Sequence, residues 1–149
     1  MSAVHFRPAR STDAGKVGGI LSEFIDTTTW MPRIHTRAED IGFAGHMIEK
    51  GWVTVAEDSG QIRGFVALDH EDIQSLYIAA RARRSGIGSA LIAALKEKAA
   101  RLSLWTFQAN TDAQAFYMRH GFETVEETDG AGNDEGLSDM RMEWKRGAQ

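Results

Sequence analysis

The run from Ile73 to Leu91 constrains the fold more than any other part of the sequence. A β-rich segment, Ile73 to Ala79, leads into an arginine-rich loop, and Gly86 and Gly88 then open an amphipathic helix. Glycine lets the backbone approach a ligand closely, and the N–H groups at a helix start attract an anion. The run therefore predicts a strand, a phosphate-binding loop and a helix in succession.

This loop lacks the signatures of the common nucleotide-binding motifs. The chain has no Gly-Lys-Ser/Thr sequence, and Leu91 stands where the dinucleotide fingerprint has its third glycine. The remaining pattern, R-x-x-G-x-G from Arg83, is also typical of a solvated basic turn when it occurs alone. A small nucleotide-binding or phosphoryl-transfer domain is therefore the weakest of the interpretations considered.

The rest of the chain alternates between helical and strand patterns. Helices are predicted around Val17 to Ile25 with Ser11 or Thr12 as N-cap, at Ile41 to Ile48 with Ile41 inward, at Gly86 to Leu102, and after a capping box at Thr111 to Gln114. Strands are predicted at Val4 to Arg7, Trp52 to Ala56, Ile62 to Leu68, Ile73 to Ala79, Leu104 to Ala109, Phe122 to Glu127 and Met140 to Trp144. This order predicts an α/β fold, a mixed sheet with helices on both faces, in one domain spanning residues 1–149.

Composition narrows the classes of protein that fit. The formal net charge of -4 argues against a protein that coats nucleic acid, and no stretch resembles a membrane span or a signal peptide. We therefore expect a cytoplasmic protein with no nucleic-acid or membrane partner. The chain has no cysteine, which excludes disulfides, thiolate metal sites and a cysteinyl acyl-enzyme.

A second motif follows the strand at Leu104 to Ala109. It reads N-x-x-A-x-x-F-Y-x-x-x-G-F from Asn110 to Phe122. Together with the loop at Arg83 to Gly88, it resembles motifs A and B of the GNAT superfamily of N-acetyltransferases. The resemblance implies the GNAT-like acyl-CoA N-acyltransferase fold, whose mostly antiparallel sheet splays between its fourth and fifth strands.

The resemblance also implies acetyl-CoA as co-substrate, with no metal. Backbone groups of the fourth strand would pair with the pantetheine arm, and N–H groups of the loop would hold the pyrophosphate. The residues placed on the cofactor are Leu76, Tyr77, Ile78, Arg83, Arg84, Ser85, Gly86, Ile87, Gly88, Ser89, Asn110 and Tyr117. For Asn110, a helix cap is an equally compatible role.

Catalysis is assigned to Tyr117, which the resemblance implies protonates the departing thiolate; the alternative is a core aromatic residue. The lack of cysteine favours direct transfer through a ternary complex. Glu71 and Asp72 are the first candidates for the base that deprotonates the amine, although a solvated acidic turn has the same composition. His35 and His120 are further candidates.

The acceptor is expected to be a small-molecule or peptide amine. Irregular segments at 26–37 and 128–138 are expected to bind it, with Trp30, Asn133 and Glu135 as candidate contacts. A homodimer is possible. The main alternative to an enzyme is a non-catalytic acyl-CoA-binding sensor, against which the presence of Tyr117 counts.

Overall fold

Seven β-strands form one sheet in the computed structural model, which describes residues 4–147. The strands are β1 Val4–Pro8, β2 Val53–Asp58, β3 Gln61–Asp69, β4 Asp72–Ile78, β5 Arg101–Phe107, β6 Glu123–Thr128 and β7 Asp139–Lys145. The α-helices within the described residues are α1 Ala14–Thr27, α2 Arg37–Glu49, α3 Ile87–Lys98 and α4 Thr111–Arg119. The ends of the predicted domain, 1–3 and 148–149, lie outside the described residues.

The sheet is antiparallel except at its centre. The strand order is β1-β2-β3-β4-β5-β7-β6, and only β4 and β5 run parallel. These two strands pair at Asp72 with Ser103 and at Ile73 with Leu104, and beyond those pairs they separate. The predicted mixed sheet, splayed between its fourth and fifth strands, is confirmed.

Helices cover both faces of the sheet, as predicted. On one face α1 and α2 pack around the buried side chains of Met47 and Phe65. On the other face α3 and α4 pack around Leu91, Leu102 and Met142. Within residues 4–147, none of the helices has the length and apolar character needed to cross a membrane.

The boundary between α3 and β5 differs from the prediction. The helix expected to reach Leu102 ends at Lys98, and Leu102 lies in β5 opposite Trp144, with none of its surface exposed. Leu91, Leu95 and Leu102 share a helical face in the sequence pattern, while Leu102 and Leu104 also alternate as in a strand. Apolar spacing alone did not separate these two patterns.

The buried face of α2 also differs from the prediction. Ile41 is 40% exposed, whereas Asp40 is only 4% exposed and takes the inward position. The Asp40 carboxylate accepts hydrogen bonds from Ser22 Oγ at 2.7 Å and from Arg33 Nη1 at 3.0 Å. A carboxylate with such partners can be buried, since its charge is compensated.

Arg33 fixes the loop between α1 and α2. Its guanidinium donates to Asp26 Oδ1 at 2.7 Å and to the Ser22 hydroxyl at 2.8 Å, besides the Asp40 bond. It also donates to the backbone oxygens of Ser22 and His35. The loop is therefore held to both helices by one side chain.

Substituting Arg33 tests this arrangement. Arg33→Met keeps the aliphatic stem but removes the cation from the buried Asp40 carboxylate, and should lower the free energy of unfolding by about 2 kcal/mol. Arg37→Met is the matched control, because Arg37 is 65% exposed and its ion pair is with Asp26. It should change stability by less than about 0.5 kcal/mol. Urea denaturation measures both, and equal losses would contradict the assignment.

Candidate active site

The separation of β4 from β5 opens a cavity of about 500 Å³, which we call the first cavity. It lies between the end of α1, the end of β4, the loop before α3, and α4. Its wall includes Leu76, Tyr77, Ile78, Arg83, Gly88, Asn110 and Tyr117. The two sequence motifs, which are separated along the chain, therefore meet around one space.

The backbone of β4 presents polar groups to this cavity. The Ala79 N–H donates to Arg63 O on the β3 side at 2.8 Å. Because successive N–H groups of a strand point to opposite edges, the N–H of Ile78 points away from β3 toward the cleft. On that same edge, Ile78 O accepts a hydrogen bond from Arg83 Nε at 3.3 Å. The strand thus ends with a free donor and an arginine at the cavity.

The loop before α3 has the geometry of an anion cradle. Gly86, just before the helix, has φ 87°, in the left-handed region that glycine favours. Among the described residues, the N–H groups from Arg84 to Ser89 have no hydrogen-bond acceptor. A side chain at Gly86 would meet no atom within 4 Å, so the space beside it is open. A bound anion would satisfy these N–H groups, which lie at the positive end of the α3 dipole.

Gly88 has a different role, because it sets the distance between α3 and α4. A Cβ atom there would lie 3.2 Å from Cζ of Phe116, which is tighter than ordinary van der Waals contact. Glycine at this position therefore lets α4 pack against the first turn of α3. This contact brings Tyr117, the next residue of α4, to the cavity.

Tyr117 is buried at the meeting point of the strands and α4. It is 7% exposed, and its ring packs against Phe116 at 5.2 Å and Phe122 at 5.4 Å between centroids. It lines the first cavity and also a narrow cleft of about 70 Å³ between β4 and β5. Burial, with a smaller effect of Tyr77, raises the pKa of Tyr117 well above its usual 10, so the phenol keeps its proton.

A second cavity of about 470 Å³ opens on the other side of the cleft. Phe24, Tyr77 and Asn110 line both cavities, so the two spaces meet at these residues. Burial, with a smaller effect of Glu135, raises the pKa of Tyr77 to about 12. The arrangement provides one space beside an anion cradle and a second space across the cleft, with the buried phenol of Tyr117 and the half-buried phenol of Tyr77 at the cleft.

Comparisons with known proteins agree with this geometry. Residues 49–124 match the family described as acetyltransferase (GNAT) domain. A 5-NmdU N-acetyltransferase from Pseudomonas phage PaMx11 is 36% identical over 104 residues, which is 64% of this chain and 71% of the relative. Peptidyl-lysine N-acetyltransferase YiaC from Escherichia coli is 28% identical over 127 residues, 78% and 84% of the two chains. The structure of yncA from Salmonella typhimurium with its cofactor acetyl-CoA has a TM-score of 0.75 at 16% identity, and the match covers 99% of this chain and 96% of yncA.

This chain belongs to the GNAT family of acetyltransferases. The matched segment covers more than half of the chain and contains both the Arg83 to Gly88 loop and the Asn110 to Phe122 segment. The predicted family and the predicted enzyme class, an acyltransferase that uses acetyl-CoA, are therefore confirmed. The likeness to yncA shows that the two chains share a fold.

Several residues that the sequence assigned to the cofactor do not line the first cavity of this GNAT chain. These are Arg84, Ser85, Gly86, Ile87 and Ser89. They follow Arg83 directly along the chain. It is therefore their backbone N–H groups, and not their side chains, that suit the predicted contact with the cofactor. The Ile87 side chain is buried in the core, and Ser89 Oγ lies 3.0 Å from His120 Nε2.

The candidate bases are not brought to the site. Asp72 is the first residue of β4, where the strand still pairs with β5, and Glu71 lies in the turn just before it. Neither lines the first or the second cavity. Asp72 Oδ1 instead accepts a hydrogen bond from Ser103 Oγ at 2.5 Å. Because the cleft opens toward the other end of β4, the strand itself separates these carboxylates from Tyr117.

The candidate substrate residues divide between the cavities. Trp30 lines the first cavity and Asn133 the second, while Glu135 lines neither and acts on Tyr77 through its charge. Of the histidines, His35 Nε2 lies 3.9 Å from Asp134 Oδ2, and His120 packs on Phe116 at 4.7 Å between centroids. Neither histidine lines either cavity.

Sequence reasoning missed Phe24 and Phe107. Phe24 falls within the predicted helix Val17 to Ile25, but it lines both cavities and packs on Tyr77 at 5.0 Å between ring centroids. Phe107 lines the second cavity and contacts Trp30 at 5.8 Å between centroids. Each lies near the carboxyl end of its element, Phe24 just before the irregular segment 26–37 and Phe107 just before Asn110, and that position is the signal that could have identified them.

The two tyrosines of the chain provide a spectroscopic test of this burial. In the native protein, ultraviolet absorbance should show no tyrosinate step near pH 10, the usual pKa, whereas the urea-unfolded chain should titrate there. Both phenols have a higher pKa in the folded protein than in the unfolded chain. Their titration therefore leaves the free energy of unfolding unchanged below pH 10 and lowers it as the pH rises toward about 12, the pKa of Tyr77. A native tyrosinate step at pH 10 without unfolding would show that a phenol is exposed.

Proposed function

We propose that this GNAT enzyme transfers the acetyl group of acetyl-CoA directly to a primary amine, with Tyr117 as the general acid. The observation that carries the proposal is the meeting of two cavities of similar size at the β4–β5 cleft, with the protonated phenol of Tyr117 lining that cleft. Two substrates can then occupy the site together. The names of the two curated relatives, which refer to N-acetyl transfer to 5-NmdU and to a peptidyl lysine, support an amine acceptor.

Acetyl-CoA fits the first cavity. The open N–H groups from Arg84 to Ser89 and the guanidinium of Arg83 are suited to the pyrophosphate. The unpaired edge of β4, from Leu76 to Ile78, is suited to the amides of the pantetheine arm, since β5 does not pair with it there. Acetyl-CoA in this cavity would bring its thioester to the cleft, between Ile78 and Tyr117.

The chain then assists a direct displacement. The neutral amine attacks the thioester carbonyl carbon, the C–N bond forms, and the C–S bond breaks. The N–H of Ile78 donates to the carbonyl oxygen as negative charge develops on it. Tyr117 gives its proton to the leaving sulfur, and the amine releases its extra proton to water.

The acetyl-amine and free coenzyme A then leave as products, and Tyr117 recovers its proton from solvent. The absence of cysteine in the chain is consistent with a single displacement that has no thiol acyl-enzyme. The cytoplasmic location and the possible homodimer remain predictions from the sequence.

Gly86→Val tests the phosphate loop. The valine side chain would occupy the open space beside the N–H groups and disfavour φ 87°, so acetyl-CoA affinity should fall by about tenfold or more in calorimetry. Gly60→Val is the matched control, because Gly60 has φ 76° and open space but lies in the β2–β3 turn. Parental affinity in a folded Gly86→Val protein would contradict the assignment.

Tyr117→Phe tests the general acid. The ring and its packing remain, so the protein should fold and bind acetyl-CoA normally, while kcat should fall by roughly 10- to 1,000-fold. Thiol release at saturating substrates, alongside calorimetric binding of acetyl-CoA, measures the two effects.

Tyr77→Phe is the comparison, since Tyr77 carries the other phenol at the cleft and is half-buried there. A larger fall in kcat for that variant would assign the proton to Tyr77. If Tyr117→Phe keeps the parental kcat, and chemistry is shown to limit the rate, then Tyr117 is not the general acid. A parent protein that binds acetyl-CoA but acetylates no amine would favour the sensor.

A further inference from the structure

The second cavity has an aromatic wall. The rings of Phe24, Tyr77, Trp105 and Phe107 all line it. Phe24 packs on Tyr77 at 5.0 Å between ring centroids, so the two rings form a continuous surface. Aromatic surfaces of this kind bind flat apolar groups by stacking or edge contact.

Trp105 is available to a ligand. Its side chain is 51% exposed, although tryptophan is largely buried in most proteins. Its register partner Arg141 is engaged elsewhere, with hydrogen bonds to Glu143 at 2.6 Å and to Glu126 at 3.4 Å. The indole is therefore an apolar surface on the cavity wall that the described chain leaves uncovered.

The charge around this cavity favours a cation. Among its described lining residues there is no lysine or arginine, and Asp139 is the charged member. The segment 129–138 beside it contributes Asp129, Asp134 and Glu135 and no basic residue. The loop 79–86, on the cofactor side, has the opposite composition, with three arginines and no acidic residue. Such a field attracts an ammonium group and repels a phosphate.

The size of the cavity limits the acceptor. Its volume of about 470 Å³ lies in the lower half of the range for small-molecule sites, roughly 300–1,000 Å³. Polar side chains line it at Thr106, Asn110, Thr128, Asn133 and Asp139. A small molecule with at least one ring fits this space.

We propose that the acceptor is a small primary amine on an apolar, ring-bearing body that carries no negative charge. The ring lies against Trp105 and Phe107, and the amine points to the cleft beside Tyr77. The inference rests on the proposed function, because it names the substrate class for that same site. Because the wall is aromatic, it excludes amines without a ring, such as linear diamines and lysine side chains, and because the surroundings are acidic, it excludes phosphate-bearing amines, as preferred acceptors.

A panel of amines tests the class. Thiol release from saturating acetyl-CoA is measured for tyramine, O-phosphotyramine, n-butylamine, cadaverine and a lysine-containing peptide. We expect kcat/KM for tyramine to exceed that for every other member by about tenfold or more, a difference of about 1.4 kcal/mol. The comparison with O-phosphotyramine isolates the charge of the body, and the comparison with n-butylamine isolates the ring.

Trp105→Ala locates the preference in the cavity. Because Trp105 is half exposed, the variant should fold, and the ratio of kcat/KM for tyramine to that for n-butylamine should fall by about fivefold or more. Phe43→Ala is the matched control, since Phe43 is 47% exposed on α2 and lines neither cavity. Its ratio should equal that of the parent.

The outcomes separate the two levels of the proposal. Equal kcat/KM for tyramine and n-butylamine, or a better phosphorylated, diamine or peptide acceptor, overturns the substrate class and leaves the proposed function standing. An unchanged ratio in Trp105→Ala overturns the placement of the ring. If acetyl-CoA binds but no amine releases thiol, the proposed function itself fails, and the substrate class fails with it.

Discussion

Two parallel strands that pair at only two positions leave backbone donors and acceptors that the sheet does not satisfy. In this chain those groups lie on β4 beyond Ile73, and on the facing edge of β5 beyond Leu104. An unpaired backbone N–H or C=O group that is removed from water costs free energy, so the groups on this edge need a ligand or solvent as their hydrogen-bond partner. The first cavity, the cleft and the second cavity all arise from this separation, and the helices that cover the sheet form their walls.

The separation also divides the site electrostatically. Arginines and the start of α3 lie on one side of the cleft, while the acidic segment before β7 lies on the other. The anionic co-substrate is therefore drawn to the arginine side, and the acidic side is left to the acceptor proposed above. The net charge of -4 conceals this division, because it averages over the two sides.

How far the sequence could predict the site depends on how local each feature is. Gly86, Gly88, Asn110 and Tyr117 lie in compact motifs, and three of the four line the first cavity. Asn110 also caps α4 by accepting a hydrogen bond from the Ala113 N–H at 3.1 Å, so its two expected roles are compatible. Glu71, by contrast, was chosen for its closeness to the active strand along the chain.

Closeness along a strand is a poor guide to the site, because each residue advances about 3.3 Å. The start of β4 is thus well removed from its end, and the direction in which the sheet opens cannot be read from one strand. Contacts between elements that are distant along the chain were equally unpredictable from the sequence. Arg33 bonds to Asp40, and Phe24 packs on Tyr77. No local sequence pattern predicts either contact.

The burial of Tyr117 has two opposing consequences for the role of general acid that we propose for it. Burial raises its pKa, which guarantees that the proton is present, but it also makes the phenol a weaker acid than free tyrosine. A thiol such as that of cysteine has a pKa of about 8.5, so complete proton transfer from this phenol to a fully formed thiolate would be uphill. In the proposed mechanism the hydroxyl therefore acts first as a hydrogen-bond donor while the C–S bond is breaking, and reprotonation of the phenol by solvent then draws the uphill transfer to sulfur forward. In a site of low polarity that donor is stronger than it would be in water, and its contribution arises in the transition state, where charge on sulfur develops.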